Sequence, residues 1–341
     1  MIKVRVAERD AGQRLDKYLR KYLAKAPSSF VYKMLRKKNI TLNEKKASGN
    51  EMLRAEDEIA MFLSDDTILK FGGAIPGGEK YNGTGQESRR FQQYKEAYEA
   101  YGELGIVYEN DHVLIVNKPV GMLTQKAAPS DRSLNEWLIG YLMAKGEADE
   151  HTLHTFKPSV CNRLDRNTSG LVLCGKTLAG SQKMSALLKD RSLRKFYSLY
   201  VKGVVTQEAR IEGSLKKDEN TNKVELCRDA SDGEAVDVLT VYKPIKNYRN
   251  ITLLEVELIT GKTHQIRVHL ASVGHPVIGD YKYGYFEWND RYKKKYGITT
   301  QLLHAIRLEF PQMEGEWADM SELVLTAEPP EIFRILDEGE G

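Results

Sequence analysis

Three cysteines in 341 residues, Cys161, Cys174 and Cys227, form no Cys-x-x-Cys pair, and their odd count argues against a disulfide framework. No apolar run approaches the ~18 residues that a membrane span needs. The first residues, Met1-Ile2-Lys3-Val4-Arg5-Val6, lack the apolar core of a signal peptide. The seven histidines do not cluster at metal-ligand spacing, so no metal is implied. A glycine-rich phosphate cradle is missing too, as is any internal repeat. These absences argue against secreted, membrane-spanning, metal-dependent and nucleotide-cofactor classes, and the expectation is a reduced, cytoplasmic protein. With 41% apolar and 29% charged residues the composition is that of an ordinary folded chain, long enough for more than one domain.

What is present is distributed unevenly. The net charge is only +3, yet Arg14 to Lys46 holds eleven Lys or Arg against Asp16 and Glu44, a local charge of +9. Positive charge concentrated on one small module is the footprint of a polyanion partner, against the plainer reading of a solvated helical face. Leu15, Tyr18, Leu19, Tyr22 and Leu23 recur at helical spacing. Pro27-Ser28-Ser29 offers a stop and an N-cap, after which Val31, Met34 and Leu35 point inward and leave Lys33, Arg36, Lys37 and Lys38 outside. Short extended pieces follow at Ile40-Thr41-Leu42 and Ile59 to Leu63. Residues 64–104 read as a connection, flexible at Gly72, Gly73, Gly77, Gly78, Gly83 and Gly85. It then turns helical, with Phe91, Tyr94, Ala97, Tyr98 and Tyr101 on one face, docked on the next domain. Beyond Leu104, alternating stretches such as Leu254 to Leu258 mark half-buried strands. Helices are expected at Ser181 to Leu188 and Thr263 to Val273. Strands too close for crossover helices predict an α+β fold on a mixed, mainly antiparallel sheet, with a small N-terminal α/β domain.

The chemistry concentrates in Arg163-Leu164-Asp165-Arg166-Asn167-Thr168-Ser169-Gly170-Leu171. A carboxylate between two cations is expected to stay ionised well below neutral pH, because nearby positive charge favours its charged form. It suits a nucleophile or base better than an acid. Taken alone, the tetrapeptide reads more readily as a salt-bridged surface turn. Cys161, close by, reads as a small hydrophobe rather than a nucleophile.

The wider context changes that reading. Arg-Leu-Asp-Arg-x-Thr-Ser-Gly-Leu resembles the catalytic signature of RluA-type pseudouridine synthases. Tyr108 to Gly121, ending in Lys118-Pro119-Val120-Gly121, is similar to that family's first motif. Lys195-Phe196-Tyr197 resembles its tyrosine motif, Leu258 to His269 its third, and Leu303-His304-Ala305 a C-terminal one. Arg14 to Leu19 and Ile40 to Asn43 resemble an alpha-L RNA-binding domain, with Asn43-Glu44 replacing the usual Asn-Gly. Residues 1–63, 64–104 and 105–341 are therefore expected to be RNA-binding domain, linker and catalytic domain.

The resemblance implies breakage of the uridine N1–C1′ bond, rotation of the base and joining of C5 to C1′, with no cofactor. It assigns the ionised carboxylate to Asp165, the stacking platform to Tyr197 and the cation to Arg267. A glycosidase needs two carboxyls, and these motifs supply one. Arg163, Lys118, Lys262, Arg14, Lys33, Arg36 and Lys37 are the expected RNA contacts, with Lys118-Pro119-Val120-Gly121 shaping the pocket wall. Two departures, Asn162 for His and Lys262 for Arg, bear on how the backbone is gripped, since Lys lacks the fork of Arg. The expected partner is RNA, large-subunit ribosomal RNA first, acted on by a monomer. The alternatives are a transfer-RNA synthase and a non-catalytic ribosome-assembly factor.

Overall fold

Leucines and tyrosines three and four residues apart fold the N-terminal stretch onto a small sheet. In the computed structural model, which describes residues 1–73, 85–149, 152–217, 224–227 and 236–341, the order there is β1 (Ile2–Arg5), α1 (Leu15–Tyr22), α2 (Ser28–Arg36), β2 (Ile40–Leu42), β3 (Lys45–Lys46) and β4 (Glu58–Met61). The strands pair antiparallel as β1-β4-β2-β3. Leu15, Tyr18, Leu19, Tyr22, Val31 and Leu35 pack on Val4, Ile40, Ile59 and Met61 in a separate hydrophobic core. The strand at Ile2–Arg5 was not expected from the sequence, although Ile2 and Val4 alternate inward. The cap of α2 differs as well: Pro27 stands at the N-cap with no side-chain bond, so Ser28 and Ser29 are first-turn residues.

The connection carries α3 (Asp65–Lys70), also unforeseen, capped by Ser64 accepting from the Thr67 N–H. The tether expected around Gly77, Gly78 and Gly83 lies outside the described residues. Next comes α4 (Gly85–Tyr101), with Tyr94 and Ala97 buried and Tyr98 and Tyr101 packed against the large core, as the aromatic stripe predicted.

The remaining elements are β5 (Gly105–Glu109), β6 (Val113–Lys118), α5 (Leu134–Ala144), α6 (Thr152–Thr155), β7 (Ser159–Val160), β8 (Ser169–Gly175), α7 (Leu178–Lys189), β9 (Arg194–Lys202), β10 (Ala209–Lys217), β11 (Val224–Cys227), β12 (Val236–Asn247) and β13 (Ile251–Leu258). After them come α8 (Gln265–Ser272), α9 (Phe286–Tyr296), β14 (Leu303–Glu309), β15 (Val324–Thr326) and α10 (Glu331–Glu340). Eleven strands form one sheet in the order β11-β10-β12-β13-β9-β14-β8-β6-β5, with β15 on β14 and β7 on β8. Every pair in it is antiparallel except β14 with β8, giving the mixed sheet of the expected α+β class. Helix α4 crosses α5 so closely that a Cβ on Gly140 would lie 2.2 Å from the Tyr94 carbonyl oxygen.

The two parts touch. Arg9 donates to the Glu147 carbonyl at 2.6 Å, and the Thr155 hydroxyl donates to the buried Asp10 at 3.0 Å. Among the described residues no helix is long and apolar enough to cross a membrane.

Candidate active site

The register of three strands brings the site together. On β14, Ala305 lies opposite Gly170 of β8 on one side and Tyr197 of β9 on the other. Gly170 has φ +114°, and a Cβ there would stand 2.3 Å from the Ala305 carbonyl oxygen, so glycine alone allows this approach. The turn leading into β8 is thereby held beside Tyr197. Within it the Thr168 N–H donates to the Asp165 carbonyl at 3.0 Å, closing a β-turn with the aspartate at its first position.

The first motif braces that turn from behind. The Thr124 hydroxyl donates to the Leu164 carbonyl (2.8 Å), and the Gly121 N–H to that of Arg166 (2.9 Å). Arg166 Nε returns a bond to the Gly121 carbonyl at 3.1 Å. Lys118 completes the brace, its Nζ donating to the carbonyls of Pro119, Met122 and Arg166 at 3.0, 2.9 and 3.3 Å. Lys118 is fully buried, so its place among the expected RNA contacts is corrected: its three donors are spent on main chain, and it shapes the wall. Burial pushes its pKa down from 10.5 to about 7, partly countered by the Asp165 charge.

Asp165 also departs from the expectation drawn from its neighbours. Arg163 and Arg166 are both exposed, and neither bonds its carboxylate. Its cation is Arg267 of α8, whose NH1 reaches Oδ2 at 2.8 Å. The other carboxylate oxygen, Oδ1, has no hydrogen bond among the described residues. The fork of Arg267 is mainly engaged elsewhere: Nε and NH2 grip Asp280 at 2.6 and 2.9 Å. Asp280 is 1% exposed and is fixed in turn by the N–H groups of Lys282 and Tyr283. Burial alone would lower the Arg267 pKa; bonds to Asp280 and the charges of both aspartates more than offset it, and the net shift is upward. Tyr283 lays its ring 5.1 Å from the guanidinium carbon.

Asp280 and His264 are the residues that sequence reading missed. Asp280 ends the apolar run Pro276-Val277-Ile278-Gly279, a visible signal, but its partner lies 13 residues back and cannot be read from spacing. His264, at φ +55°, is the left-handed residue at the N-terminus of α8, and its Nε2 lies 3.8 Å from Asp165 Oδ2. Burial lowers its pKa, with the Asp165 charge opposing and Arg267 assisting. Gln265 ties the same helix end to β12, donating to the Leu239 carbonyl (3.0 Å) and Thr240 (3.0 Å).

These groups open onto a cavity of about 1190 Å³ lined by Asp165, Tyr197, His264, Arg267 and, on its basic side, Arg163, Arg166, Arg191, Lys126 and Lys262. Tyr197 is buried, and burial together with Asp165 holds its hydroxyl protonated well above neutrality. Arg163 and Lys262 are exposed on the lining, free to meet a polyanion. Asn162, the first departure from the family pattern, accepts the Leu173 N–H at 2.8 Å and so serves the strand. Cys161 has its thiol pKa raised to about 11 by burial, which suits a packing residue. Lys33 and Arg36 on α2 and Lys37 just after it are exposed and are not part of the cavity lining, whereas Arg14 is drawn to Asp16 at 3.0 Å.

The cavity can hold a nucleotide, set a carboxylate against its sugar, and keep the counter-charge fixed while the base moves. Comparison with known proteins bears on the family and the fold. Residues 112–272 match the family model described as RNA pseudouridylate synthase. The chain is 31% identical over 275 residues to ribosomal large subunit pseudouridine synthase C of Rickettsia bellii, covering 80% of this chain and 83% of that one. It is 29% identical over 307 residues to the synthase C of Vibrio cholerae, covering 90% and 87%. Among solved structures, human RNA pseudouridylate synthase domain containing 4 shares the fold, with a TM-score of 0.55 at 21% identity over 72% of this chain and 95% of that one.

Proposed function

We propose, from the premise that this chain belongs to the RNA pseudouridylate synthase family, that it isomerises a uridine of large-subunit ribosomal RNA with Asp165 as its catalytic carboxylate. The single observation that carries this is Asp165 held through one oxygen by Arg267 while Oδ1 has no hydrogen bond among the described residues, in a cavity walled by Tyr197. The names of the relatives supply the choice of ribosomal RNA.

In this reading the target uridine leaves its stack, at a cost of roughly a few kcal/mol, and Arg163 occupies the space it vacates. Asp165 acts at the sugar as the N1–C1′ bond breaks and C1′ loses electron density. Arg267 keeps the carboxylate aimed, and Asp280 keeps Arg267 from turning. The detached uracil rotates against the Tyr197 ring and C5 bonds to C1′; C5 then sheds its proton while N1, freed from the sugar, takes one up. Atoms and charge balance without any imported group, because the product is an isomer. Arg166, Arg191 and Lys262 grip phosphates around the opening, and the α2 cations Lys33, Arg36 and Lys37 hold RNA at a second point.

Pseudouridines mapped in ribosomal and transfer RNA, from cells with and without the gene, test the substrate. Loss of a large-subunit position is expected. Loss confined to transfer RNA replaces the substrate, and no loss in either leaves a non-catalytic RNA-binding factor as the better reading.

A further inference from the structure

His264 has no part in the scheme above, yet its Nε2 lies 3.8 Å from Asp165 Oδ2. Its ring is oriented by a relay. The Val224 N–H donates to the Tyr283 hydroxyl at 3.0 Å, and that hydroxyl lies 2.8 Å from His264 Nδ1. A phenol that already accepts one N–H has its own proton to place, and His264 Nδ1 is the acceptor within reach. With Nδ1 accepting, the ring proton of the neutral imidazole sits on Nε2, the nitrogen aimed at Asp165.

That nitrogen stops short of the carboxylate. At 3.8 Å the two atoms are too far apart for a hydrogen bond, but an oxygen set to one side of the line joining them can stand about 2.8 Å from each. The chemistry of such an oxygen is constrained from both sides. It must accept from Nε2–H and donate to a carboxylate, which a hydroxyl does and a phosphate or carbonyl oxygen does not. The reaction brings C1′ of the target sugar to Asp165, and the hydroxyl one carbon away is the ribose 2′-OH.

We infer that His264 and Asp165 Oδ2 together bracket the 2′-hydroxyl of the target nucleotide, so that this site itself distinguishes ribose from deoxyribose. The inference deepens the proposed function and rests on Asp165 acting at C1′. His264 also occupies the left-handed region, which a bulky non-glycine residue adopts at a cost of about 1 kcal/mol or more. Tyr283, which orients the ring, also lies against the Arg267 guanidinium, so both partners of the carboxylate share one support. The 2′-OH is the group by which a protein can tell RNA from DNA at a single nucleotide.

The test uses the full chain and a uridine-containing stem-loop of large-subunit ribosomal RNA, made with ribose or 2′-deoxyribose at the target uridine alone. Binding is compared for the unaltered protein, His264→Ala, His264→Gln and Tyr283→Phe. The unaltered protein is expected to prefer the ribose form by about tenfold, the scale of one hydrogen bond to a charged or buried group. His264→Ala should bind both forms alike, by losing affinity for ribose only. His264→Gln, which can present an N–H at a similar reach, should recover part of the preference, and Tyr283→Phe should lose part of it. A ribose-to-deoxyribose ratio in His264→Ala equal to that of the unaltered protein overturns the inference. Should His264→Ala fail to fold, an unchanged ratio in both His264→Gln and Tyr283→Phe overturns it equally. Absence of pseudouridine formation by the unaltered protein would instead sink the proposed function, since the binding ratio is read without turnover.

Discussion

The chain contains the local pattern Arg-Leu-Asp-basic twice, at Arg14-Leu15-Asp16-Lys17 and at Arg163-Leu164-Asp165-Arg166, and the two aspartates end in opposite circumstances. Asp16, 2% exposed at the start of a helix, accepts two bonds from its own neighbour Arg14, one from Arg20 a turn later and one from Tyr32 at 2.7 Å. Burial would raise its pKa, but the bonds from Tyr32 and Arg14 outweigh it and the net shift is downward. Nothing of that carboxylate is left to meet a substrate. Asp165, in a turn, has its flanking arginines facing outward and takes one bond from a residue 102 positions away, its side chain 26% exposed. A saturated carboxylate is structure; one held at a single oxygen is available for chemistry. Local sequence cannot tell the two apart, because the difference lies in what the rest of the fold brings to each.

The sharpest way to break this contrast is to neutralise both. Asp165→Asn should lower single-turnover pseudouridine formation by at least about a thousandfold, as loss of a group acting in the transition state does. RNA affinity should stay within about tenfold, being set by phosphate contacts. Asp16→Asn should leave turnover alone and lower the unfolding free energy by about 1–3 kcal/mol, through weakened charge-assisted bonds. Equal losses of turnover in the two proteins would erase the distinction.

Next in size is the support behind Asp165. Arg267→Met leaves two carboxylates without their cation, one of them fully buried, so a stability loss of about 3–5 kcal/mol by urea unfolding is expected. Turnover should fall steeply, because Asp165 loses the cation that holds and aims it. Arg267→Lys keeps charge without the fork and should lie between. Rates across the pH range equal to those of the unaltered protein would remove Arg267 from the site.

A smaller effect is expected from the basic helix. Replacing Lys33, Arg36 and Lys37 together by Gln should weaken RNA binding and reduce the log–log salt slope by about two to three, with turnover on saturating RNA intact. Arg14→Gln should move the slope less, because Asp16 already holds that guanidinium. An unchanged slope in the triple variant would mean that α2 meets no RNA.

The smallest concerns the helix that carries Arg267. His269 is fully buried beside Thr240, and burial lowers its pKa from 6.5 to about 4. The unfolded chain therefore binds a proton near pH 6.5 that the native protein refuses until about pH 4, and stability should decline as pH falls through that window. His269→Gln should flatten the decline between those two values in a pH series of urea midpoints.

Much of the site was legible because its residues lie inside motifs: Asp165, Tyr197 and Arg267 converge on one cavity, as the ordered motifs suggested. The aromatic stripe of α4 was readable from its period, and the sheet class from the alternation. What could not be read was set by tertiary pairing. Lys118, expected both among the RNA contacts and in the pocket wall, is buried because its ammonium donates to main-chain carbonyls that spacing does not reveal. Arg163 and Arg166 looked like partners of Asp165 because they adjoin it, but a turn sends successive side chains apart. The strand Ile2–Arg5 was passed over because four residues of alternation carry little signal without the partner strand β4.

The order in which the sheet is assembled has a bearing on when a newly made chain can work. Asp165 lies in the turn before β8 and Tyr197 on β9, and among the described residues these two strands are joined through β14, which sits between them. That strand is separated from β8 by more than a hundred residues, a non-local closure of the kind that forms late and slowly. A ribosome that has released everything up to residue 300 has therefore made every proposed catalytic side chain and no completed site. Competence requires Leu303-His304-Ala305, so a chain that stops short of β14 carries the proposed catalytic side chains without the strand that joins them.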